Sequence, residues 1–320
     1  MRILLACDKL SSFENIYFDF KRAGFPDAAD ICVLSVADVF VPPGYTKTDL
    51  KRSSDQAYLS FIDKEIESAH QLADRMGGQL RSRFPHWRLH TYSVGGSPAE
   101  EIIKKAQDWM ADLIVVGSHG RPGVGEFFFG SVALKVLAGS ACSVRVVRKG
   151  PLEEASPSRI IVGVDGSAQN EYMINQIGTR HWKEGSSVHL ITAVNMMVDP
   201  AIFSDSFNTG PFLSVLITPE NQNARKEWQS SKDHKQMDWI KRMHSDYQSR
   251  LERSGLYVSS LIQEGDPKVL LLKEAQRWGA DCIYMAAVGH SQIERLLIGS
   301  VSVASVIRAQ CSVEVLRKRR

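Results

Sequence analysis

The sequence predicts an α/β protein of two similar halves, each with a five-stranded parallel sheet and helices on both faces. Short apolar runs of strand length alternate with longer amphipathic segments, which is the pattern of parallel βαβ units. The same succession begins a second time near the middle of the 320 residues. A chain of that length also suffices for two ordinary domains, at about 150 residues per domain.

The elements of the first half follow from apolar periodicity and from signals at their ends. A long helix at 55–83 carries its apolar residues on one stripe. The next helix begins at Pro98, with Ser97 as its N-cap and Glu100 completing a capping box. The predicted order is a strand at 3–7, a helix at 15–23, a strand at 31–37, the helix at 55–83, a strand at 88–94, the helix from 98, a strand at 113–116, a helix ending near 138 and a strand at 144–147.

A nearly constant offset relates the two halves. Asp165, which closes a strand at 159–164, follows Asp8 by 157 residues (165 minus 8). Later positions follow by 169 residues, and they include Pro98 with Pro267, Trp109 with Trp278, Asp112 with Asp281 and Cys142 with Cys311. The difference of 12 residues (169 minus 157) places an insertion at 195–225, whose composition indicates a loop.

The repeat divides the chain into a first domain at 1–149, a linker at 150–158 and a second domain at 159–320. The linker is recognised by its prolines and glutamates. The insertion belongs to the second domain. Its role as a lid, a docking surface or a disordered segment stays open.

Composition and charge exclude several classes of partner. The net charge of +3 is too small to indicate nucleic acid or a membrane surface. The sequence has no run of 18 apolar residues and no signal-peptide pattern. Its five cysteines form no C-x-x-C pair, and their odd, scattered number suggests a reducing compartment. We therefore expect a cytoplasmic protein without nucleic-acid or membrane partners.

A glycine-bearing loop at 112–132 is the main functional signal. It reads DLIVVGSHGRPGVGEFFFGSV, so a strand end, a loop and a helix start follow one another. Glycines let backbone amides approach a ligand, and the first turn of a helix adds unpaired N–H groups and partial positive charge. The spacing G-x2-G-x9-G-S, filled by Gly117, Gly120, Gly130 and Ser131, resembles the nucleotide-binding signature of the universal stress protein family. Glycines that only punctuate a turn are the plainer alternative.

The resemblance implies a fold and a ligand. The fold is Rossmann-like, of the adenine nucleotide α-hydrolase-like type, with strand order 3-2-1-4-5 in each half. Ligands bind where such an order reverses, which here is between strands one and four. Asp8 ends strand one and Gly117 ends strand four, so both signals meet at one crevice. The implied cofactor is ATP or a related adenine nucleotide, with or without Mg²⁺.

The resemblance also assigns roles in the first half. Asp8 would accept a hydrogen bond from a nucleoside hydroxyl, unless it is only a turn carboxylate. The Val36 backbone would meet the adenine edge, with plain core as the alternative, and Val116 would line the base or ribose. Backbone amides and one hydroxyl would hold the phosphates, and these belong to Gly117, Gly120, Gly130, Ser131 and Val132. Arg121 would either contact a phosphate or face water.

The second half departs from the signature. It keeps Asp165-Gly166-Ser167 at its first strand, where the first half reads Asp8-Lys9-Leu10. Its loop begins on Ala286 instead of a glycine and retains Gly289, Gly299 and Ser300. That extra methyl is either harmless or blocks approach of the backbone. We expect binding in the first half, and binding at Asp165, Gly289, Gly299 and Ser300 stays open.

The last strand of each half is a sheet edge in this fold, and exposed edges have to be covered or paired. Related proteins pair these edges antiparallel across a two-fold axis, so a tandem chain could do so internally as a pseudo-dimer. Arg145 and Glu314 share the offset of 169, and such pairing would set them face to face. Solvated surface charges are the alternative. A homodimer and an unidentified protein partner are further open alternatives.

Catalytic signals are absent from the sequence. It contains no P-loop, no H-E-x-x-H and no nucleophile elbow, and no paired carboxylates are tied to the glycine loop. We therefore expect an ATP-binding regulatory or interaction module of the stress response rather than an enzyme, whose ligand shifts a conformational population. The alternatives are a slow ATP hydrolase or adenylyl-transfer enzyme of the same fold, and a structural pseudo-dimer that binds nothing.

Overall fold

A computed structural model describes residues 1–40, 56–118, 130–148, 156–194, 219–287 and 299–318, with side chains throughout except at 219–234. Its strands form a single ten-stranded sheet. Within the described part of the chain, no helix combines the length and the apolar character that crossing a membrane would require.

The first half contains five strands and four α-helices in the described ranges, besides a 3-10 turn at Leu10–Ser12. They agree with the predicted order, with ends shifted by one or two residues. In chain order they are β1 (Arg2–Ala6), α1 (Phe13–Arg22), β2 (Asp30–Asp38), α2 (Gln56–Arg83), β3 (Arg88–Gly96), α3 (Pro98–Asp108), β4 (Leu113–Gly117), α4 (Ser131–Gly139) and β5 (Ser143–Val147).

The second half repeats this succession. Its elements are β6 (Arg159–Gly163), α5 (Ala168–Gly178), β7 (Ser187–Val194), α6 (Pro219–Glu252), β8 (Tyr257–Glu264), α7 (Pro267–Trp278), β9 (Cys282–Ala286), α8 (Ser300–Arg308) and β10 (Ser312–Leu316). The α/β fold with two repeats is therefore confirmed.

The strand order across the sheet is β3-β2-β1-β4-β5-β10-β9-β6-β7-β8. Each half reads 3-2-1-4-5 from its outer strand inward, as the resemblance implied. All pairs within a half are parallel, whereas β5 and β10 pair antiparallel and join the halves. The predicted internal pairing of the two edges is thus observed.

The centre of the β5–β10 pair is a buried ionic cluster. Arg145 lies opposite Glu314 in register, and its Nη1 donates to Glu314 Oε2 at 2.8 Å. Both side chains are about 1% exposed, so the alternative of solvated surface charges is wrong. Asp19 of α1 accepts two further bonds from Arg145, at 2.7 and 2.9 Å, and Arg180 pairs with Glu314. Two guanidinium groups therefore balance two carboxylates where the halves meet.

Apolar packing also couples the halves, through a core cluster that both share on one face of the sheet. There a single core cluster includes Leu4 and Val144 from the first half together with Ile161 and Val313 from the second. The opposite face carries a separate core for each half. Burial of apolar surface is the dominant favourable term in folding, so this shared face ties the two repeats together.

Two local predictions need correction. Ser97 has the extended backbone of an N-cap, but its side chain makes no capping hydrogen bond, so the expected capping box with Glu100 is not formed. Residues 219–225, expected as loop, belong to α6, whose first residue Pro219 suits a first helical turn because its missing N–H is not needed there. The rest of the predicted insertion, 195–218, lies outside the described residues.

Candidate functional site

The carboxyl ends of β1 and β4 lie side by side at the point where the strand order of the first half reverses. Ile3, Leu4 and Leu5 pair with residues 113–115 in parallel register. Asp8 follows β1 by two residues, and Gly117 is the last residue of β4. The structure therefore brings these two predicted site residues to one edge of the sheet, where open α/β folds bind ligands.

The two ends of the glycine loop, Ser118 and Gly130, lie next to each other. The amide of Gly130 donates to the carbonyl of Ser118 at 2.9 Å, which joins the two ends of the loop. The Ser118 amide in turn donates to the Val147 carbonyl at 3.1 Å, which fixes the joined ends to β5. Residues 119–129 lie outside the described part of the chain, and so do the predicted ligands Gly120 and Arg121.

The start of α4 provides the amides that the sequence predicted. Gly130 is the extended N-cap residue, and the first helical bond runs from the Leu134 amide to the Gly130 carbonyl at 3.3 Å. The amides of Ser131, Val132 and Ala133 precede that bond, as in the first turn of any helix. Among the described residues, no side chain caps them. Ser131, the first residue of α4, is exposed.

The role expected of Gly130 has to be revised. Its amide was expected to contact a phosphate, yet this N–H already donates to Ser118. Gly130 instead closes the loop and positions the start of α4. The anion-binding capacity of this end of the helix thus rests on the amides that follow it.

The side chains predicted to surround a nucleoside differ in exposure. Asp8 is exposed, Val36 is half-buried against the core and Val116 is 3% exposed within that core. The Val36 side chain therefore has the packing role that was left open. Its backbone lies two residues beyond Leu34, the last β2 residue that pairs with β1.

The Asp8 carboxyl is partly desolvated although the residue is exposed. Desolvation by the surrounding protein raises the pKa of Asp8 above its ordinary value, while the neighbouring Lys9 ammonium opposes the shift. Above that pKa the carboxylate is an acceptor only, which suits a hydroxyl donor. The described residues contain no group of three acidic, histidine or cysteine side chains able to hold a metal ion.

In the second half, the corresponding turn after β6 is closed by its own hydrogen bonds. The Asp165 carboxylate accepts from the Ser167 amide at 2.9 Å. The Asn170 side-chain oxygen accepts from the amides of Asp165 and Gly166, each at 2.9 Å. Asp165 therefore acts as a turn carboxylate, which is the role that had been considered for Asp8.

An indole ring covers this turn. Gly166 has a φ of +78°, and a Cβ there would lie 2.3 Å from the Trp239 ring. Trp239 lies on α6, and its position in the first half is held by His70, 169 residues earlier (239 minus 70). Sequence patterns missed this contact, because nothing local indicates which turn a tryptophan on a long polar helix will reach.

The structure describes two of the three remaining predicted site residues of the second half. Gly299 is the N-cap of α8 and Ser300 its first residue, as Gly130 and Ser131 are for α4. Gly289 lies outside the described residues. The Ala287 amide donates to the Leu316 carbonyl at 2.9 Å, which repeats the Ser118–Val147 bond.

Comparison with known proteins points to one family. The sequence model for the universal stress protein family matches residues 21–148 and 157–317. A universal stress protein of Methanocaldococcus jannaschii is 42% identical over 62 residues, which are 19% of this chain and 36% of that relative. One of Thermus aquaticus is 47% identical over 88 residues, which are 28% of this chain and 64% of that relative. Each match covers less than two thirds of the relative's own length.

Two solved structures share the fold over the whole chain. A universal stress protein from Archaeoglobus fulgidus has a TM-score of 0.61 at 19% identity, covering 99% of this chain and 96% of that one. A protein described as functionally unknown, from Pseudomonas aeruginosa, has a TM-score of 0.52 at 15% identity, covering 98% and 92%. At these identities the likeness concerns the fold alone.

Proposed function

Because this chain belongs to the universal stress protein family, we propose that its first half binds an adenine nucleotide, with ATP as the expected ligand. The observation that carries this proposal is the meeting of three features at one edge of the sheet. They are the exposed carboxylate of Asp8, the pinned ends of the loop between Ser118 and Gly130, and the uncapped first turn of α4.

Each feature has a distinct part in binding. The amides of Ser131, Val132 and Ala133, with the Ser131 hydroxyl, would hold phosphate oxygens, because these N–H groups precede the first helical bond and point out of the helix. Asp8 would accept from a ribose hydroxyl. Val116 and the backbone at Val36 would border the base. The nucleotide supplies the negative charge that this helix end favours.

The second half supports binding less well. Trp239 lies over Gly166 at the turn where a nucleoside would have to approach Asp165. The Asp165 carboxylate also has a partner in the Ser167 amide. We therefore assign nucleotide binding to the first half alone.

The proposed mechanism is a change of conformational population rather than rapid turnover. A ligand that prefers one arrangement of the loop ends and α4 shifts the population toward it, and a regulatory or interaction module of the stress response needs nothing more. Steady phosphate or pyrophosphate release with Mg²⁺ would assign the protein to the enzyme class instead.

The test is calorimetric titration of the full chain with ATP, using two repeat-equivalent variants. Gly130→Asp keeps a favourable N-cap residue for α4 but places a negative charge where phosphates would sit, so we expect about 100-fold weaker binding. Gly299→Asp makes the same change at α8 and serves as the matched control, with unchanged affinity expected.

Three results would contradict the proposal. They are no saturable ATP binding by the unmodified chain, equal weakening by both variants, and unchanged binding by Gly130→Asp. Mass spectrometry of the gently denatured protein provides an independent check, because a co-purified adenine nucleotide would appear directly.

A further inference from the structure

The geometry points to a second binding site, for a small organic anion with an apolar body, in a cavity between the two halves. The cavity has a volume of about 480 Å³ and lies between α1 of the first half and α7, α8 and β10 of the second. Sites for small molecules typically measure about 300–1,000 Å³ and favour domain interfaces. None of the described residues assigned to the nucleotide crevice lines this cavity.

The charge of the cavity favours an anion. Both carboxylates in its wall are already compensated, since Asp19 accepts two bonds from Arg145 and Asp281 Oδ1 lies 3.6 Å from Arg22 Nε. The Asp281 carboxylate also accepts from the Arg159 amide at 2.8 Å. The charged side chains of the wall are Arg22, Arg148, Lys273 and Arg308, against Asp19 and Asp281.

Two of these cations are available to a ligand. Lys273 on α7 and Arg308 at the end of α8 are both exposed. Neither side chain makes a hydrogen bond or ion pair with any residue that the structure describes. A guanidinium group offers a planar fork of donors to a phosphate, carboxylate or sulfonate, and an ammonium adds a compact charge.

The rest of the wall selects for an apolar body. Phe18 of α1 faces the cavity from the first half, and Val269 and Leu272 of α7 face it from the second. Val269 is 60% exposed, so an occupant would remove apolar surface from water. An aromatic or short aliphatic group that carries one anionic head satisfies both parts of the wall.

The related groove on the other side of the pseudo-two-fold axis carries a larger side chain. There Tyr172 of α5 takes the place of Asn15, 157 residues earlier, and it lies near Ser143 and Asp112. Ser143 and Asp112 are the repeat partners of Ser312 and Asp281, which line the cavity. The related groove thus has a tyrosine where the cavity has the shorter Asn15.

The cavity also carries more positive charge than the related groove. Lys273 has a counterpart in Lys104, but the counterpart of Arg308 is Gly139. The counterpart of Arg22 is Thr179. The cavity therefore combines the shorter Asn15 with two cations, Arg22 and Arg308, that have no counterpart in the related groove.

The test uses phenyl phosphate as the probe, titrated calorimetrically into the full chain with and without saturating ATP. We expect one saturable site whose affinity ATP leaves unchanged. The double variant Lys273→Glu/Arg308→Glu should weaken binding tenfold or more, because it removes two charge-assisted hydrogen bonds and places negative charge beside the anion. The repeat-equivalent control Lys104→Glu should bind the probe as the unmodified chain does.

A second variant tests the space rather than the charge. Asn15→Tyr introduces into the cavity the larger residue that stands at the equivalent position of the second half, and it should reduce phenyl phosphate binding tenfold or more. Absence of saturable binding, displacement of the probe by ATP, or unchanged affinity in the charge variant would overturn the proposal. Both charged positions are exposed, so that result stands even if Asn15→Tyr fails to fold.

Discussion

The two halves share a fold but differ at the turn that follows the first strand. After β1 the chain leaves Asp8 exposed beside the paired ends of the glycine loop. After β6 the carboxylate of Asp165 is used within its own turn, and Trp239 lies over Gly166. The half with the better-matched turn sequence is thus the one whose turn is closed. A motif assigns residue types to a position, but access depends on what packs over that position.

The β5–β10 pair at the centre of the sheet departs from exact two-fold symmetry in its charges. Arg145 and Glu314 occupy equivalent positions with opposite charge, and each has its own partner from its own half, Asp19 for Arg145 and Arg180 for Glu314. Burial alone would raise the pKa of Glu314, but Arg180 and Arg145 hold it below its ordinary value. A homodimer with identical strands would place like charges there. The tandem chain can diverge, and its halves have become complementary.

The largest expected effect comes from breaking this complementarity. Arg145→Glu would place a third carboxylate beside Asp19 and Glu314 in a buried site, so we expect a loss of about 4 kcal/mol or more in the free energy of unfolding. Urea denaturation of the full chain measures it. The control is Arg88→Glu, which breaks the pair with Asp30, because the Arg88 side chain is 80% exposed. That change should cost about 1 kcal/mol or less. Equal effects in both variants would contradict the assigned role of the cluster.

The second largest expected effect is a pH dependence of stability that arises from His244 in the second half. His244 of α6 is 2% exposed and burial lowers its pKa to about 4. The Thr192 hydroxyl donates to the Val164 carbonyl, so His244 Nε2–H donates to the Thr192 oxygen at 2.7 Å. Its Nδ1 is buried without a partner among the described residues, so a proton there would be unpaired. The repeat-equivalent position in the first half is the exposed Arg75.

The sign of the pH effect follows from that lowered pKa. Between about pH 6.5 and 4 the unfolded chain binds a proton at His244 that the folded chain does not. The stability contribution is therefore complete above pH 6.5 and is lost as the pH falls toward 4, by about 3 kcal/mol. His244→Gln should flatten this dependence in urea unfolding, and the control Arg75→Gln should not. An unaltered pH profile in His244→Gln would rule out this titration as the cause.

The smallest expected effect concerns nucleotide access to the second half. Trp239→Ala, made together with Gly130→Asp so that only the second half can respond, should strengthen ATP binding there about tenfold, or about 1.4 kcal/mol. The matched control is His70→Ala, the equivalent position in the first half, on the same background. Unchanged calorimetric titrations would mean that Trp239 is not what closes the second crevice.

The fold could be predicted from the sequence because the signals for strands and helices are local. Apolar periodicity placed the strands and helices within one or two residues, and constant offsets between rare residues exposed the repeat. The same arithmetic predicted that Arg145 and Glu314 would meet, since antiparallel pairing across a two-fold brings equivalent positions together. Composition misled only where polar residues 219–225 read as loop, because such residues are equally suited to an exposed helix.

Only the tertiary structure shows the contacts between residues that are distant in the sequence. Asp19 lies 126 residues from Arg145, and no local pattern indicates that it would accept two bonds there. The same holds for Trp239 over Gly166 and for the cavity beside Asn15 that lies between the two halves. Backbone periodicity is a property of neighbouring residues, whereas burial, charge compensation and access are properties of the packed surfaces that distant elements present to one another.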